Sequence, residues 1–587
     1  DGIVVERDNI ILDGNGHTIT GPGSARGILL EYRDYVTIRN FKIENFNTGI
    51  YLYYSSGNTI TGNTITNNEY GIHLFDSDDN EIIGNVFSGC GLLITNSFFN
   101  VVEGNTVNGK PLVYLENASD VVVKDAGQVI LVRCKRVIVE NLNLSNTTVG
   151  VQLWQTKDST IKNNTITNNY YGIRLFDSSG NTIIGNTISN KWYGIYLWVS
   201  SYNGIVGNVF SGCGLFVYDS FFNVVEGNTV NGKPLVYLEN ASDVVVSDVG
   251  QVILVRCKRV IVENLNLSNT TVGVQLLESR ECIIKNNTIT NNEYGIHLFD
   301  SSGNTIVENT IKNSIRGIDL WGSDGNTITG NTITNNNDGI SLQGSKDNVI
   351  LGNKIANNKN GMYLNESSNN DIFLNSFIGN RQHVYSKDSV NFWNDGSRGN
   401  FWSDYTGEDR NNDGIGDVPY IIDRRNVDRR PLILYEIKAS SPYGTVHGSG
   451  WYMKGSKATV SVSPAVVEDP FSSYVFEGWL VDGKLVSTSP EYSFIVEKPV
   501  TLTASWKKTT RIEEGTRIIG EEERLREMEE ELERVKGYLS KLEEIWKKGI
   551  ISAYAYETLK KEYQAKIEQL ENELKNIRKM QSKANNS

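Results

Sequence analysis

The chain has 587 residues and carries 69 Asp and Glu against 56 Lys and Arg, a formal net charge of −13. That balance excludes nucleic acid as a partner, because phosphate backbones are held by a cationic footprint. No apolar run reaches 18 residues, so no membrane span is predicted, and 55 Gly, 10 Pro and 39% apolar residues describe a folded chain.

From the first residues a Gly recurs every 22 positions: Gly27, Gly49, Gly71; then Gly150, Gly172, Gly194; then Gly295, Gly317, Gly339, Gly361. A fixed period of this size is the mark of a solenoid. Each unit holds Gly-Ile-x-Leu, a turn rich in Ser, Asp and Gly, and two Asn-x-Ile segments. Apolar residues alternate over short runs, which is strand spacing. Residues 1–390 therefore read as a parallel β-helix of about eighteen coils, a rod of roughly 85 Å at ~4.8 Å per coil. The chain opens at Asp1 inside a strand-like pattern and reads as a mature secreted product without its leader. Its uncovered first coil predicts that another chain lies against that end.

Two Asn columns (304, 326, 348, 370 and 309, 331, 353, 375) are expected at corners, where Asn tolerates left-handed backbone and stacked amides bond from coil to coil. Two near copies interrupt the period: residues near 86–153 and 209–276, offset by 123. Four coils per interval, nearly identical, imply duplication of a whole module and argue against one unique catalytic centre there. Cys90, Cys134, Cys213, Cys257 and Cys282 are odd in number and lack CxxC spacing, so they read as small buried hydrophobes.

Alternation from each marker Gly directs its fourth follower outward: Tyr53, Phe75, Trp154, Phe176, Trp198, Leu277, Phe299, Trp321. Neighbouring coils would set these rings about 5 Å apart. Such a stripe stabilises itself by stacking, or binds glycan or protein. The second followers (Tyr51, His73, Arg174, Tyr196, His297, Asp319) share that outward face. His73 with Asp76, and His297 with Asp300, are the candidates for acid–base chemistry; being products of a repeat, they weigh little. Sequons stand at Asn117, Asn143, Asn146, Asn163, Asn240, Asn266, Asn269, Asn286 and Asn365, compatible with glycosylation of a secreted protein.

Residues 391–435 change pattern. Phe392, Trp393, Phe401, Trp402 and Tyr405 are expected to cap the last coil. Within this segment Asp409, Asn411, Asp413, Ile415 (by its carbonyl) and Asp417 take the spacing of a calcium loop with Gly414 at the sixth position, although Tyr420 stands where an EF-hand has Glu. Residues 436–508 read as a small β domain around Trp451, Phe476, Trp479 and Trp506. Residues 509–587 hold a linker and two heptad seams, Leu525 to Trp546 and Leu559 to Ile577; a helical hairpin is the economical reading and an intermolecular coiled coil its rival.

The opening NIILDGNGHTITGPG and the GI-x-L…N-x-I…GN-x-I coils resemble NosD-type, carbohydrate-active right-handed parallel β-helix proteins. The GKPLVYLENASDVVV modules and GNFWSDYTGEDRNNDGIGDVPY resemble versions from archaeal surface proteins. The 436–508 segment resembles the internalin-type bacterial repeat, and EIWKKGIISAYAYETLKKEY resembles hairpins associated with oligomerisation. The resemblance implies the fold across about 1–434; its members include lyases, epimerases and a copper-enzyme accessory protein. The Asp-Pro-His-Asp motif of alginate epimerases is absent, and four Met and five His, scattered, supply no copper-type patch. Two functions are expected in order: a secreted or cell-surface structural or adhesive rod that self-assembles, or a polysaccharide-binding or lyase-like protein using the stripe. Calcium is the expected cofactor; copies of the chain and surface glycans are the expected partners.

Overall fold

A computed structural model describes residues 2–411, 413–469, 472–510, 517–547 and 553–584. The chain divides into two compact parts, Asp1–Leu434 with Met453–Gly455, and Tyr435–Tyr452 with Ser456–Ser587.

The first part is a β-solenoid of about 18 turns. A typical coil has three strands, such as Tyr70–Phe75, Glu81–Ile83 and Val86–Ser88. Each pairs in parallel with its equivalent one coil away; Ile72 and Leu74 stand over Ile50 and Leu52. The in-register Ile columns fill the core: Ile38, Ile60, Ile82, Ile43 and Ile65 are all sealed from solvent. The marker glycines are required by crowding. A Cβ at Gly49 would lie 2.6 Å from the carbonyl oxygen of Gly71 in the next coil.

The Asn columns form buried ladders. Asn304 Nδ2 donates to Asn326 Oδ1 at 3.1 Å, Asn326 to Asn348 at 3.2 Å, and Asn348 to Asn370 at 2.9 Å. The same acceptor oxygen also takes the backbone N–H of the coil before it. Left-handed backbone falls elsewhere, on the corner column Asn291, Asn313, Asn335 and Asn357 (φ 56–59°). The expectation that one set of Asn does both jobs is corrected: a ladder amide faces inward, whereas a left-handed corner faces out.

The expected solenoid of about eighteen coils is present, but not as one uninterrupted stack. The first stack ends at Leu92–Thr95, the last strand of a five-stranded sheet. Shortly after, Asn108 and Gly109, at φ 51° and 80°, make a tight turn, and Val107 pairs antiparallel with Lys110. Two successive positive φ values suit a two-residue hairpin. The chain then begins a second stack at Lys110–Glu116, and Asn231-Gly232 begins a third at Lys233–Glu239 in the same way.

At each junction the new stack covers the open end of the old one. Strand Gln128–Val132 is buried on both faces: Val129 and Leu131 belong to the second core, Ile130 and Val132 to the first. The edge of Leu92–Thr95 has no following strand, and two glutamines replace it. Gln128 Oε1 accepts from Leu92 N–H (3.0 Å) and its Nε2 donates to Leu92 O (2.6 Å); Gln152 does the same for Ile94. Thr148 Oγ1 accepts from Gly91 N–H (3.0 Å). Gln251, Gln275 and Thr271 repeat this at the second junction, on Leu215, Val217 and Gly214. A bare sheet edge is a pairing hazard and an unpaired buried amide is costly; these side chains remove both.

The third stack is closed by Trp393 and Trp402, which join its core. Trp402 stacks on Phe377 at 4.4 Å, and its Nε1 donates to Asp428 (3.0 Å). Phe392 faces solvent at 59% exposure, against the expectation that it caps. In the second part, a six-stranded and a three-stranded sheet enclose Ile437, Val460, Phe476, Trp479 and Leu502, with Trp506 at the margin. Trp451 is only half-buried. Helices α1 (Arg517–Lys547) and α2 (Ala553–Ala584) form a hairpin within one chain, closed by Leu532, Val535, Leu570 and Leu574. Leu525, Trp546, Leu559 and Ile577 fall among residues whose side chains lie outside the described set.

Candidate functional site

The junctions gather the residues that sequence reading scattered over an outward face. In each, the outer side of one stack's first sheet faces the outer side of the next stack's first sheet. At the second junction Phe216 lies 5.4 Å from both Tyr294 and His297, and Tyr218 lies 4.5 Å from Phe299 and 6.0 Å from Trp321. The aromatic row is therefore folded against itself. Trp154 and Leu277 are fully buried, each in the core of the preceding stack. Tyr53, Phe75, Phe176, Trp198 and Phe299 are partly covered, and Trp321 is 45% exposed. The continuous exposed stripe expected from alternation is broken at Trp154 and Leu277, because alternation gives direction but not what stands opposite.

The second junction also concentrates charge. His297 Nδ1 lies 2.9 Å from Asp319 Oδ2, and Arg316 Nη1 lies 3.3 Å from the same oxygen. Burial alone would raise Asp319, but the His297 hydrogen bond and the charges of His297 and Arg316 outweigh it and hold the carboxyl below its usual range. The expected His297–Asp300 pair is not formed; the partner is one coil on. His73 lies 3.1 Å from Thr95 Oγ1, and burial, helped by the Arg174 charge, pushes it down to about 3. A base so weak is poorly matched to proton abstraction near neutrality.

Beside these groups Tyr193 OH, from the second stack, donates to Glu293 Oε1, from the third, at 2.6 Å. Burial pushes Glu293 up to about 7, with the Tyr193 bond and Arg316 pulling the other way. Its Oε2 is closed off and has no hydrogen-bond partner among the described residues. Glu293 lines a groove of about 480 Å³ with Lys191 and Trp192 on one side and Asn291, Asn313, Ser314 and Ile315 on the other. Nothing local in the sequence marks Tyr193 and Glu293 as a pair; they are 100 residues apart.

In the 409–417 loop the oxygens turn toward the loop's own amides. Asp409 accepts from the N–H groups of Asp413 and Gly414, Asp413 Oδ1 from Ile415 N–H, and Asp417 from Arg410 N–H. Asn411 Nδ2 donates to Asp413, and Lys454 Nζ lies 3.3 Å from Asp409. Of the sequon residues, Asn117, Asn143, Asn146, Asn163, Asn240, Asn266, Asn269 and Asn286 are exposed and Asn365 is half-buried. All five cysteines are buried free thiols.

This architecture defines a parallel β-helix protein of self-capping stacks. The family described as periplasmic copper-binding protein (NosD) matches residues 1–89, 98–238 and 233–407, and the chain belongs to it. Residues 435–510 match the divergent InlB B-repeat domain. A curated relative, the probable ABC transporter binding protein NosD of Stutzerimonas stutzeri, is 60% identical over 37 residues; the match spans 6% of this chain and 8% of that protein. Among solved structures, the mannuronan C-5 epimerase AlgE6 A-module of Azotobacter vinelandii is 14% identical over 66% of this chain and 91% of its own, with a TM-score of 0.16. The enzymatically active domain of bacteriophage CBA120 tailspike protein 2 is 12% identical over 65% and 66%, with a TM-score of 0.25.

The family description names copper, whose preferred donors are Cys, Met and His. Here the thiols sit in the core, with Cys90 Sγ directed at Ile65 O (3.3 Å), and Met362 is buried. Among the described residues no three His, Cys, Asp or Glu converge on a point that would hold a metal ion. The donor set does not fit copper.

Proposed function

We propose that the chain works outside the cytoplasm, in the periplasm or at the cell surface, as a non-catalytic β-helical scaffold that associates with its own copies. The observation that carries this reading is the fate of the outward side chains. Trp154 and Leu277 are sealed in junctions, and His73 and His297 are occupied by Thr95 and Asp319. Residues that would otherwise line a substrate groove hold three stacks together instead. The helical hairpin and the InlB-type domain are the modules left for assembly. Calcium belongs to this reading as a stabiliser of the 409–417 loop, where the ion would displace Lys454 from Asp409, and the exposed sequon residues as glycan attachment points.

The test joins two measurements on the full chain. Light scattering across a concentration series should show reversible growth beyond the monomer, and a lyase and epimerase panel should show no turnover. A strict monomer at high concentration would overturn the assembly role; turnover abolished by His297→Ala would overturn the non-catalytic one.

A further inference from the structure

The fifth residue after the marker Gly turns a corner in left-handed backbone. Several coils place there a residue that tolerates it: Asp76, Asp177 and Asp300 at φ 44–46°, Gly322 and Gly344 at 56° and 59°. The Gly27 and Gly49 coils place tyrosine instead, Tyr32 at φ 53° and Tyr54 at 48°. A bulky side chain in this region is an outlier, and such strain gathers at functional positions. Both rings face solvent, Tyr32 at 59% exposure and Tyr54 at 44%.

The two rings stand one coil apart and nearly parallel, at 6° and 5.3 Å between centroids. Tyr53 lies edge-on to both, 5.8 Å from Tyr32 and 4.5 Å from Tyr54, and fixes their tilt. Tyr171 with Tyr193, Tyr363 with Tyr385 and Tyr443 with Tyr474 also stack. Among the described residues, however, only Tyr32 and Tyr54 form a stacked tyrosine pair with both rings exposed. Asp76 occupies the same corner one coil on. Its charge raises Tyr54, with desolvation and a hydrogen bond from the phenol to that carboxylate adding to the effect. A proton acceptor therefore stands ready beside one of the two phenols. The five thiols, which would compete for an oxidant, are buried.

We propose that Tyr32 and Tyr54 are an oxidative cross-linking site, joined ring to ring as dityrosine by a peroxide. Each phenol gives up one electron and one proton, the Tyr54 proton to Asp76 and the Tyr32 proton to solvent. The two phenoxyl radicals couple through ring carbons ortho to their oxygens, forming one C–C bond. The hydrogen on each coupling carbon then moves as a proton to its own ring's oxygen, which restores both phenols. The peroxide takes up the two electrons and two protons, its O–O bond breaks, and it leaves as water. The bond ties together coils whose tyrosines are 22 positions apart, and it restricts the unfolded chain as a disulfide does. The proposal shares with the scaffold reading only its place outside the cytoplasm, where oxidised cross-links persist.

The test treats the purified full chain, kept dilute, with hydrogen peroxide and a peroxidase. Dityrosine fluorescence should appear in chains that stay single on a denaturing gel. A digest should yield a peptide pair joined through Tyr32 and Tyr54, lighter by two hydrogen atoms than its separate halves. Tyr32→Phe and Tyr54→Phe keep the stacked rings and should each lose that fluorescence and that peptide pair, whereas Tyr363→Phe should keep both. Mapping the bond in the wild type decides the matter even where a variant does not fold. No dityrosine, a cross-link found only between chains, a bond that maps to Tyr363 and Tyr385 instead, or a yield unchanged in folded Tyr32→Phe would each overturn the proposal.

Discussion

The first and second junctions differ mainly where side chain meets side chain. Their clamps hold the strand edge alike: Gln128, Gln152 and Thr148 in one, Gln251, Gln275 and Thr271 in the other, on equivalent backbone groups, with Gln251 Nε2 also donating to Val272 O at 3.0 Å. Their fillings differ. Trp154 corresponds to Leu277, Arg174 to His297, and Leu93 and Thr95 to Phe216 and Tyr218. A glutamine that bonds a strand edge cannot be exchanged without orphaning an N–H and a C=O together. A ring packed on another ring can be exchanged whenever the volume is made up from the other side. Duplication thus left two copies of the edge chemistry and two independent linings.

The equivalence can be broken experimentally, most forcefully through the buried plugs. Trp154→Ala should cost about 3–5 kcal/mol in chemical denaturation and Leu277→Ala about 2–5, with the tryptophan the costlier. A larger loss at Leu277 would mean that volume does not set the strength of a junction. Next, Gln128→Ala and Gln251→Ala should each cost roughly 1–3 kcal/mol per orphaned group, with Gln251 the costlier because it also bonds Val272 O. Equal midpoints would show that the Val272 bond adds nothing to the clamp.

The third contrast is in pH. The folded value of Glu293, about 7, stands above its ordinary 4.5. The contribution of the neutral carboxyl is therefore complete below about pH 4.5 and lost as pH rises through 7. Glu293→Gln should gain on the wild type by roughly 1–3 kcal/mol between pH 4 and pH 8. Tyr170→Phe at the first junction should show no such trend, and parallel curves for the two would remove the distinction drawn here. The smallest effect lies outside both junctions. Calcium at ten times its dissociation constant should stabilise by about 1.4 kcal/mol, seen as a higher melting temperature that Asp413→Ala abolishes. An unchanged melt in the wild type would dismiss the ion.

Much of the fold is legible because its partners recur at one spacing. Asn304 bonds Asn326 and Ile50 stands on Ile72, so the period states the contact. The junctions are legible only in hindsight. Gln128 bonds a backbone 36 residues earlier and Gln152 one 58 earlier, distances that no repeat announces. Two signals were present. Gln128–Val132 lacks the alternation of a half-exposed strand, as a strand buried on both faces must, and Asn108-Gly109 is a hairpin pair. For the site, the histidines were visible but not their partners. Asp300 is near His297 in sequence, whereas Asp319 reaches it from the next coil. The calcium pattern was likewise legible in residue type, while the direction of each oxygen depended on loop amides and on Lys454.

The capping arrangement also carries a timing. The end of the first stack is finished by residues that leave the ribosome dozens of positions later, with Trp154 about the last to arrive. Until then Leu92–Thr95 is an uncovered parallel edge above an apolar core. A chain halted between residues 110 and 150, in synthesis or in passage across a membrane, would present that edge to any neighbour in the same state. Each tandem module therefore opens a second window of exposure, and the speed at which its next fifty or so residues emerge sets how long it stays open.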